Sequence, residues 1–246
     1  MSAATVPAAV MLLADARLPT GGHAYSSGVE PALRGGLEPD RVRGLMIGRA
    51  VTTSRVEAGT AVVARKVTLR VVQGADGRAQ GAAEPAEFVE ASGISLLAAV
   101  DAAWAARTPS PALRDASRDL ARGYLRLARR LWPSSPAIET VRAVERPSRA
   151  LVLGAMAVEL QLSPADLARL VIYDEAAGAA AALLKLEPRD PAEVTGWILD
   201  ACAAGEVHVE ALAALTDPAA IPAAGSPETE EWAQAHAESS RRLFRA

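Results

Sequence analysis

The sequence predicts an all-α protein, a single-domain helical bundle of about eight to ten helices spanning residues 1–246. Three observations carry that reading. Half of the 246 residues are apolar but only 4% are aromatic, so the core must be built from Ala, Leu and Val. Alanine is also the strongest helix former. Apolar residues recur at steps of three and four, not two, as in Leu113, Ala116, Leu120, Tyr124, Leu127 and Leu131. Cap-then-proline pairs, Ser163–Pro164 and Asp190–Pro191, mark helix starts, because the side-chain oxygen satisfies an orphan N–H and proline is preset to helical φ.

Along the chain, residues 8–16 read as a short apolar helix, and a glycine-rich segment follows. Residues 38–72 read as one long helix or two abutting ones, with apolar positions at Val42, Leu45, Met46, Ala50 and Val51. Residues 73–83, with three glycines and no apolar period, read as a mobile loop. Helices follow at 84–105, at 109–131 with Pro109 as its opening, and at 147–162. The next begins at Pro164 and runs to about Leu186, and another runs from Pro191 to about Ala214. Residues 217–227 carry three prolines and read as a linker tethering a last helix at 228–246. No stretch reads as a strand.

The composition excludes several function classes. A net charge of -3 gives no strong field for nucleic acid. One cysteine, Cys202, cannot form an intrachain disulfide and suits a reducing compartment. The opening residues lack the basic start of a secretory signal, and no window holds about 20 uncharged apolar residues, so the expectation is cytoplasmic. No glycine precedes a lysine, which removes the phosphate-binding loop of nucleotidases. There is no H-E-x-x-H and no second cysteine for zinc. The expectation is therefore no catalytic residue, no bound cofactor and no metal ligand on this chain.

Two stretches admit a sharper reading. Arg114, Arg118, Arg122, Arg126 and Arg130 recur every four residues, with Arg129 beside them, and such a stripe could track a phosphate backbone. Asp115 and Asp119 lie three residues before Arg118 and Arg122, which equally makes a solvated, ion-paired helix face. Residues 172–188 are rich in alanine and let another helix approach closely, either in the core or across a subunit interface.

The most unusual stretch is "LPTGGHAYSSGVE", residues 18–30. It fits neither a phosphate loop nor a dinucleotide fingerprint. Its glycines permit unusual backbone angles or close approach, and its hydroxyls can satisfy buried backbone groups. The stretch resembles the N-terminal segment of the UreF family of urease accessory proteins, through Leu18, Pro19, Gly21, Ser26, Gly28, Val29 and Glu30. "ARTPSPALRDASRDLARGYLRLARRLWP" is similar to the family's central helix, with Arg114 and Ser117 in place. "ALVLGAMAVELQLSPADLARLVIYDEAAGAAAALLKLEP" is similar to its next helical pair, and "RRLFRA" to its C-terminal end. Departures are His23 where an aromatic is common, Ala121 where a glycine is usual, and Lys185 as the main polar group left near 178–186.

The resemblance implies an all-helical, cytoplasmic, non-catalytic protein. It implies a homodimer that bridges a UreD/UreH-type accessory protein and the GTPase UreG, and that docks on apo-urease to assist nickel insertion. Nickel and GTP then belong to the partner complex. The interface candidates are Pro19, Gly21, Tyr25, Ser26, Gly28, Glu30, Lys185, Arg241, Arg242, Leu243 and Phe244. Two other readings stay open at this level: a divergent helical interaction or regulatory protein with no urease role, and a nucleic-acid-binding regulator using the arginine stripe.

Overall fold

A computed structural model describes residues 11–15, 17–79, 86–239 and 243–244, and, within 75–91, backbone only. The described residues form eleven α-helices with defined bounds and no strand. These are α1 (Val29–Arg34), α2 (Val42–Ala50), α3 (Thr53–Ala79), α4 (Ala86–Ala106), α5 (Pro111–Leu131) and α6 (Pro136–Arg142). They continue as α7 (Arg149–Glu159), α8 (Pro164–Leu186), α9 (Pro191–Glu206), α10 (Val209–Ala213) and α11 (Pro227–Glu238). No helix among the described residues is long and apolar enough to cross a membrane.

Local chemistry accounts for the starts. The Ser110 hydroxyl accepts from the Leu113 N–H, Ser135 from Ile138, Ser163 from Asp166, and the Asp190 carboxylate from Ala192. Each cap is followed by proline at the first helical position, so one residue supplies the acceptor and the next has no N–H to orphan. α5 accordingly opens at Pro111, two residues after the proline that the sequence marks as its start, because Ser110 carries the cap and Thr108–Pro109 carbonyls are taken by Arg114. The stretch 38–72 resolves into two helices, α2 and α3, and α3 continues as helix through residues 73–79, where the glycines suggest a loop. Residues 80–83 of that expected loop lie outside the described residues.

The centre is α7. Every residue from Arg149 to Ala157 is buried, which is the signature of a helix covered on all sides. α3 crosses it along one side, and α5 and α6 cover the others. Gly154 makes the closest crossing: a Cβ there would stand 2.6 Å from the Ala61 carbonyl oxygen and 2.8 Å from the Ala64 Cβ. α8 packs between α3 and α9 through Ala176, Ala179, Ala180 and Leu183, so its small residues serve this chain's own core. On α5 the deepest line is Ser117, Ala121, Tyr124 and Ala128, not the leucine stripe. Small residues let α5 lie close to α7, while Leu113, Leu120 and Leu127 stay half-buried and Leu131 is exposed.

The described part of the C-terminal region is held at several points. The Arg107 guanidinium donates to the Ile221 and Ala219 carbonyls at 2.8 and 2.9 Å, and Ile221 is buried, so the proline-rich stretch 217–227 is fastened to α4. α11 lies on α1 and α5, with Trp232 filling the space that a side chain at Gly35 would take. Because α3 and α7 are in backbone contact, Gly154→Val is expected to destabilise the protein by about 1–3 kcal/mol through overpacking. A urea titration checks this: the midpoint should fall with the slope unchanged, and an unaltered midpoint would mean that the crossing is looser than described.

Candidate functional site

The glycine-rich segment is not a loose loop. It lies across α5 and α8, and two glycines on those helices receive it. A Cβ on Gly123 would overlap the Thr20 carbonyl, and one on Gly178 would stand 2.7 Å from Ser27 Oγ. Arg126 also donates to the Pro19 carbonyl at 3.2 Å. Gly28 adopts φ 82° as the N-cap of α1, a left-handed angle that a side chain at this position would strain. Ser26 and Glu30 are fully buried, Tyr25 and Gly21 are half-buried, and Pro19 is exposed.

Glu30 makes the link that matters most. Its carboxylate is only 2% exposed and accepts the backbone N–H groups of Leu243 and Phe244 at 2.8 and 2.7 Å. Arg34 pairs with one of its oxygens at 2.9 Å, and His236 Nε2 stands 3.4 Å from the other. His236 Nε2 also lies 3.2 Å from the Phe244 carbonyl oxygen. Phe244 is buried and Lys185 sits over its ring at 5.3 Å, a cation–π distance. Leu243 points outward at 65% exposure. The fold therefore brings together Glu30, Lys185, Leu243 and Phe244, which lie more than 200 residues apart at the extremes. Arg241 and Arg242 lie outside the described residues.

Beneath the segment is a buried charge cluster that the sequence pattern does not reveal. Arg149, at the first turn of α7, donates to Asp174 at 2.9 Å and to Glu175 at 2.5 Å, both on α8. It also lies 3.8 Å from Glu57 on α3. Arg49 on α2 binds the other Glu175 oxygen, and the Trp104 indole donates to Glu57 at 2.5 Å. Burial alone would push the Arg149 guanidinium down, but Glu175, Asp174 and Glu57 outweigh it and hold the charge. Burial likewise opposes ionisation of Glu175, and the two guanidinium groups override it, holding its carboxyl at about 2. Glu57 has weaker partners, and burial pushes its carboxyl up. Only five charged positions scattered from 49 to 175 build this cluster, so no local motif could have announced it.

Two cavities, of about 100 and 120 Å³, flank Arg149. Tyr25, Ser27 and Leu120 line both, so the glycine-rich segment forms the wall between them. Among the described residues no group of three or more His, Cys, Asp or Glu gathers to hold a metal. Part of the arginine stripe is engaged within the fold: Arg118 binds Asp101 at 3.2 Å and the Arg146 carbonyl, and Arg114 and Arg126 bind carbonyls, whereas Arg122 pairs with Asp119 on the surface and Arg129 and Arg130 are exposed.

The cluster sets an acid limb. Glu175 titrates at about 2 in the fold against an ordinary 4.5, so its share of stability is present above the ordinary value and is lost as the pH falls towards 2. That share is on the order of 3 kcal/mol, and Glu57, shifted the other way, opposes it. Denaturant titrations from pH 6 to pH 3 should show Glu175→Gln less stable at pH 6 and with a flatter acid limb. An acid limb as steep as that of the wild type would remove Glu175 from this role.

Residues 57–202 match the sequence model of the family described as UreF. A relative from Mycobacterium sp. (strain JLS), "Urease accessory protein UreF", is 36% identical over 240 residues, covering 96% of both chains. The protein of the same description from Mycobacterium marinum (strain ATCC BAA-535 / M) is 34% identical over 245 residues, covering 98% of this chain and 99% of its own. That from Mycobacterium tuberculosis (strain ATCC 25177 / H37Ra) is 34% identical over 240 residues, covering 96% and 97%. With a family match over more than half of the chain and full-length relatives above 30% identity, this chain belongs to the UreF family of non-catalytic urease accessory proteins.

Proposed function

We propose that this protein acts in the cytoplasm as the bridging subunit of a urease accessory complex. It joins a UreD/UreH-type protein to the GTPase UreG and docks the assembly on apo-urease, where nickel is inserted. Nickel is the cargo of that complex and GTP the substrate of the partner; neither needs a resident site on this chain. One observation supports the docking surface above others. The glycine-rich segment and the C-terminal Leu243–Phe244 pair, remote in sequence, are fastened together through Glu30, with Lys185 over the Phe244 ring and Leu243 left exposed. A large apolar side chain held outward from a rigid, polar-rimmed seat is what an interface anchor requires. The exposed Leu199, midway along α9, and Val207, its C-cap, offer apolar area for the homodimer.

Leu243 separates docking from folding, because it is exposed while its neighbour Phe244 belongs to the core. Leu243→Asp is expected to leave the melting temperature nearly unchanged and to weaken capture of the UreD/UreH-type partner at least about tenfold, as loss of a hot-spot anchor does. Urease activation in cells should fall with it. Normal partner capture by a folded Leu243→Asp protein would remove the C-terminal seat from the interface.

A further inference from the structure

We infer that the cavity of about 100 Å³ beside Arg149 binds an uncharged carboxamide group carried on a short aliphatic stem. The inference concerns a ligand class, stands on this cavity alone and goes beyond the bridging role. Three side-chain atoms of the lining residues are buried and have no hydrogen-bond partner among the described residues: Arg49 Nε, Thr53 Oγ1 and Glu57 Oε2. Arg49 lies in the last turn of α2, Thr53 opens α3, and Glu57 follows one turn later. A buried polar atom left unpaired costs free energy, so three of them around one space call for an occupant that pairs them all. Much of the other polar lining is already engaged. Arg107 is taken by the Ala103, Ala219 and Ile221 carbonyls, the Thr108 hydroxyl donates to the Trp104 carbonyl, and the Ser117 hydroxyl accepts the Arg149 N–H.

Hydrogen-bond capacity and charge decide which occupant. Arg49 Nε–H only donates, the Thr53 hydroxyl both donates and accepts, and the Glu57 carboxyl accepts when ionised. Burial pushes the Glu57 carboxyl up, towards the neutral form that also donates. The lining holds three guanidinium groups, Arg49, Arg107 and Arg149, against three carboxyl groups, Glu57, Glu175 and Glu230, so it offers no net charge to an ion. A cation would leave Arg49 Nε without an acceptor. An anion would face Glu175, which the Arg49 and Arg149 guanidinium groups hold ionised, and the half-buried Glu230. A carboxamide meets all three atoms without a charge. Its carbonyl oxygen has two lone pairs, for Arg49 Nε–H and the Thr53 hydroxyl, and its NH₂ group donates to Glu57. It pairs with a carboxylate through N–H alone, and with a neutral carboxyl through N–H and C=O together. A single water needs only about 10–15 Å³, and further waters would find few partners along Val56, Leu113, Ala116 and Leu120. That apolar wall suits a methylene stem.

The test titrates the full-length protein with butyramide, butyrate and butylammonium, three probes of similar size and different charge, followed by calorimetry or backbone NMR shifts. Butyramide should bind saturably at one site, at least about tenfold more tightly than either ion, because each ion leaves a buried partner unpaired. Thr53→Val, which removes only a hydroxyl, should weaken butyramide about fivefold, the scale of one neutral hydrogen bond. Glu57→Leu should weaken it about tenfold, whereas Glu57→Gln keeps a donor and an acceptor and should leave the affinity nearly unchanged. The Thr53 variant keeps the test open if Glu57→Leu fails to fold. No saturable butyramide binding, which would leave the cavity to water, overturns the inference. So does binding of either ion as tight as that of butyramide, or undiminished butyramide affinity in the folded Thr53→Val protein. Butyramide added during co-purification with the accessory partners then identifies the source: displacement assigns the group to a partner's Asn or Gln side chain, and undisturbed capture assigns it to a free amide solute.

Discussion

The buried guanidinium of Arg149 is the contact on which the rest depends. It reaches α3 through Glu57 and α8 through Asp174 and Glu175 while standing at the first turn of the central helix α7. Moving such a charge out of water costs several kcal/mol, and the close carboxylates return about that much and little more. The net gain in stability is therefore small, but the geometry is strongly specified. Any slip of α7 against α8 would leave a charge buried without its partner, which is far costlier than the slip of an apolar contact. An alanine-rich bundle needs such a device, because small, similar side chains pack almost equally well in neighbouring registers.

The glycine-rich segment builds on that frame. Once α5, α7 and α8 are set, Gly123 and Gly178 leave two shallow seats, and the Thr20 backbone and Ser27 occupy them. The segment then holds Glu30 in place for the C-terminal residues, with two backbone N–H groups bound to one carboxylate. A charged acceptor shared by two amides, Arg34 and His236 is a strong anchor for a chain end that has little core of its own. The order is hierarchical: charge cluster, then seated segment, then docked C-terminus.

The proposed bridging role asks for a stiff surface more than a reactive one. Ordering a partner-binding element costs conformational entropy, and an element already ordered has met that cost before association. The placement of Leu243, exposed beside a buried Phe244, is consistent with the proposed role.

The sequence alone determined the helical class and most helix positions, since alanine content, three–four spacing and cap-then-proline pairs are local signals. α8 and the end of α5 lie where those signals place them. It missed α6 and α1, which are seven and six residues long and depend on burial rather than on an amphipathic period. It placed the leucines of α5 in the core, whereas the close approach of α7 selected Ser117, Ala121 and Ala128 instead. The segment 18–30 was legible as exceptional from its glycines and hydroxyls, but not what it touches. Only the tertiary structure decided that Glu30 meets Leu243 and Phe244, that Arg118 of the arginine stripe turns inward to Asp101, and that Arg49, Glu57, Arg149, Asp174 and Glu175 form one cluster. The reason is physical: backbone propensity acts over a few residues, while electrostatic pairing in a core joins side chains whose separation along the chain carries no information about their distance in space.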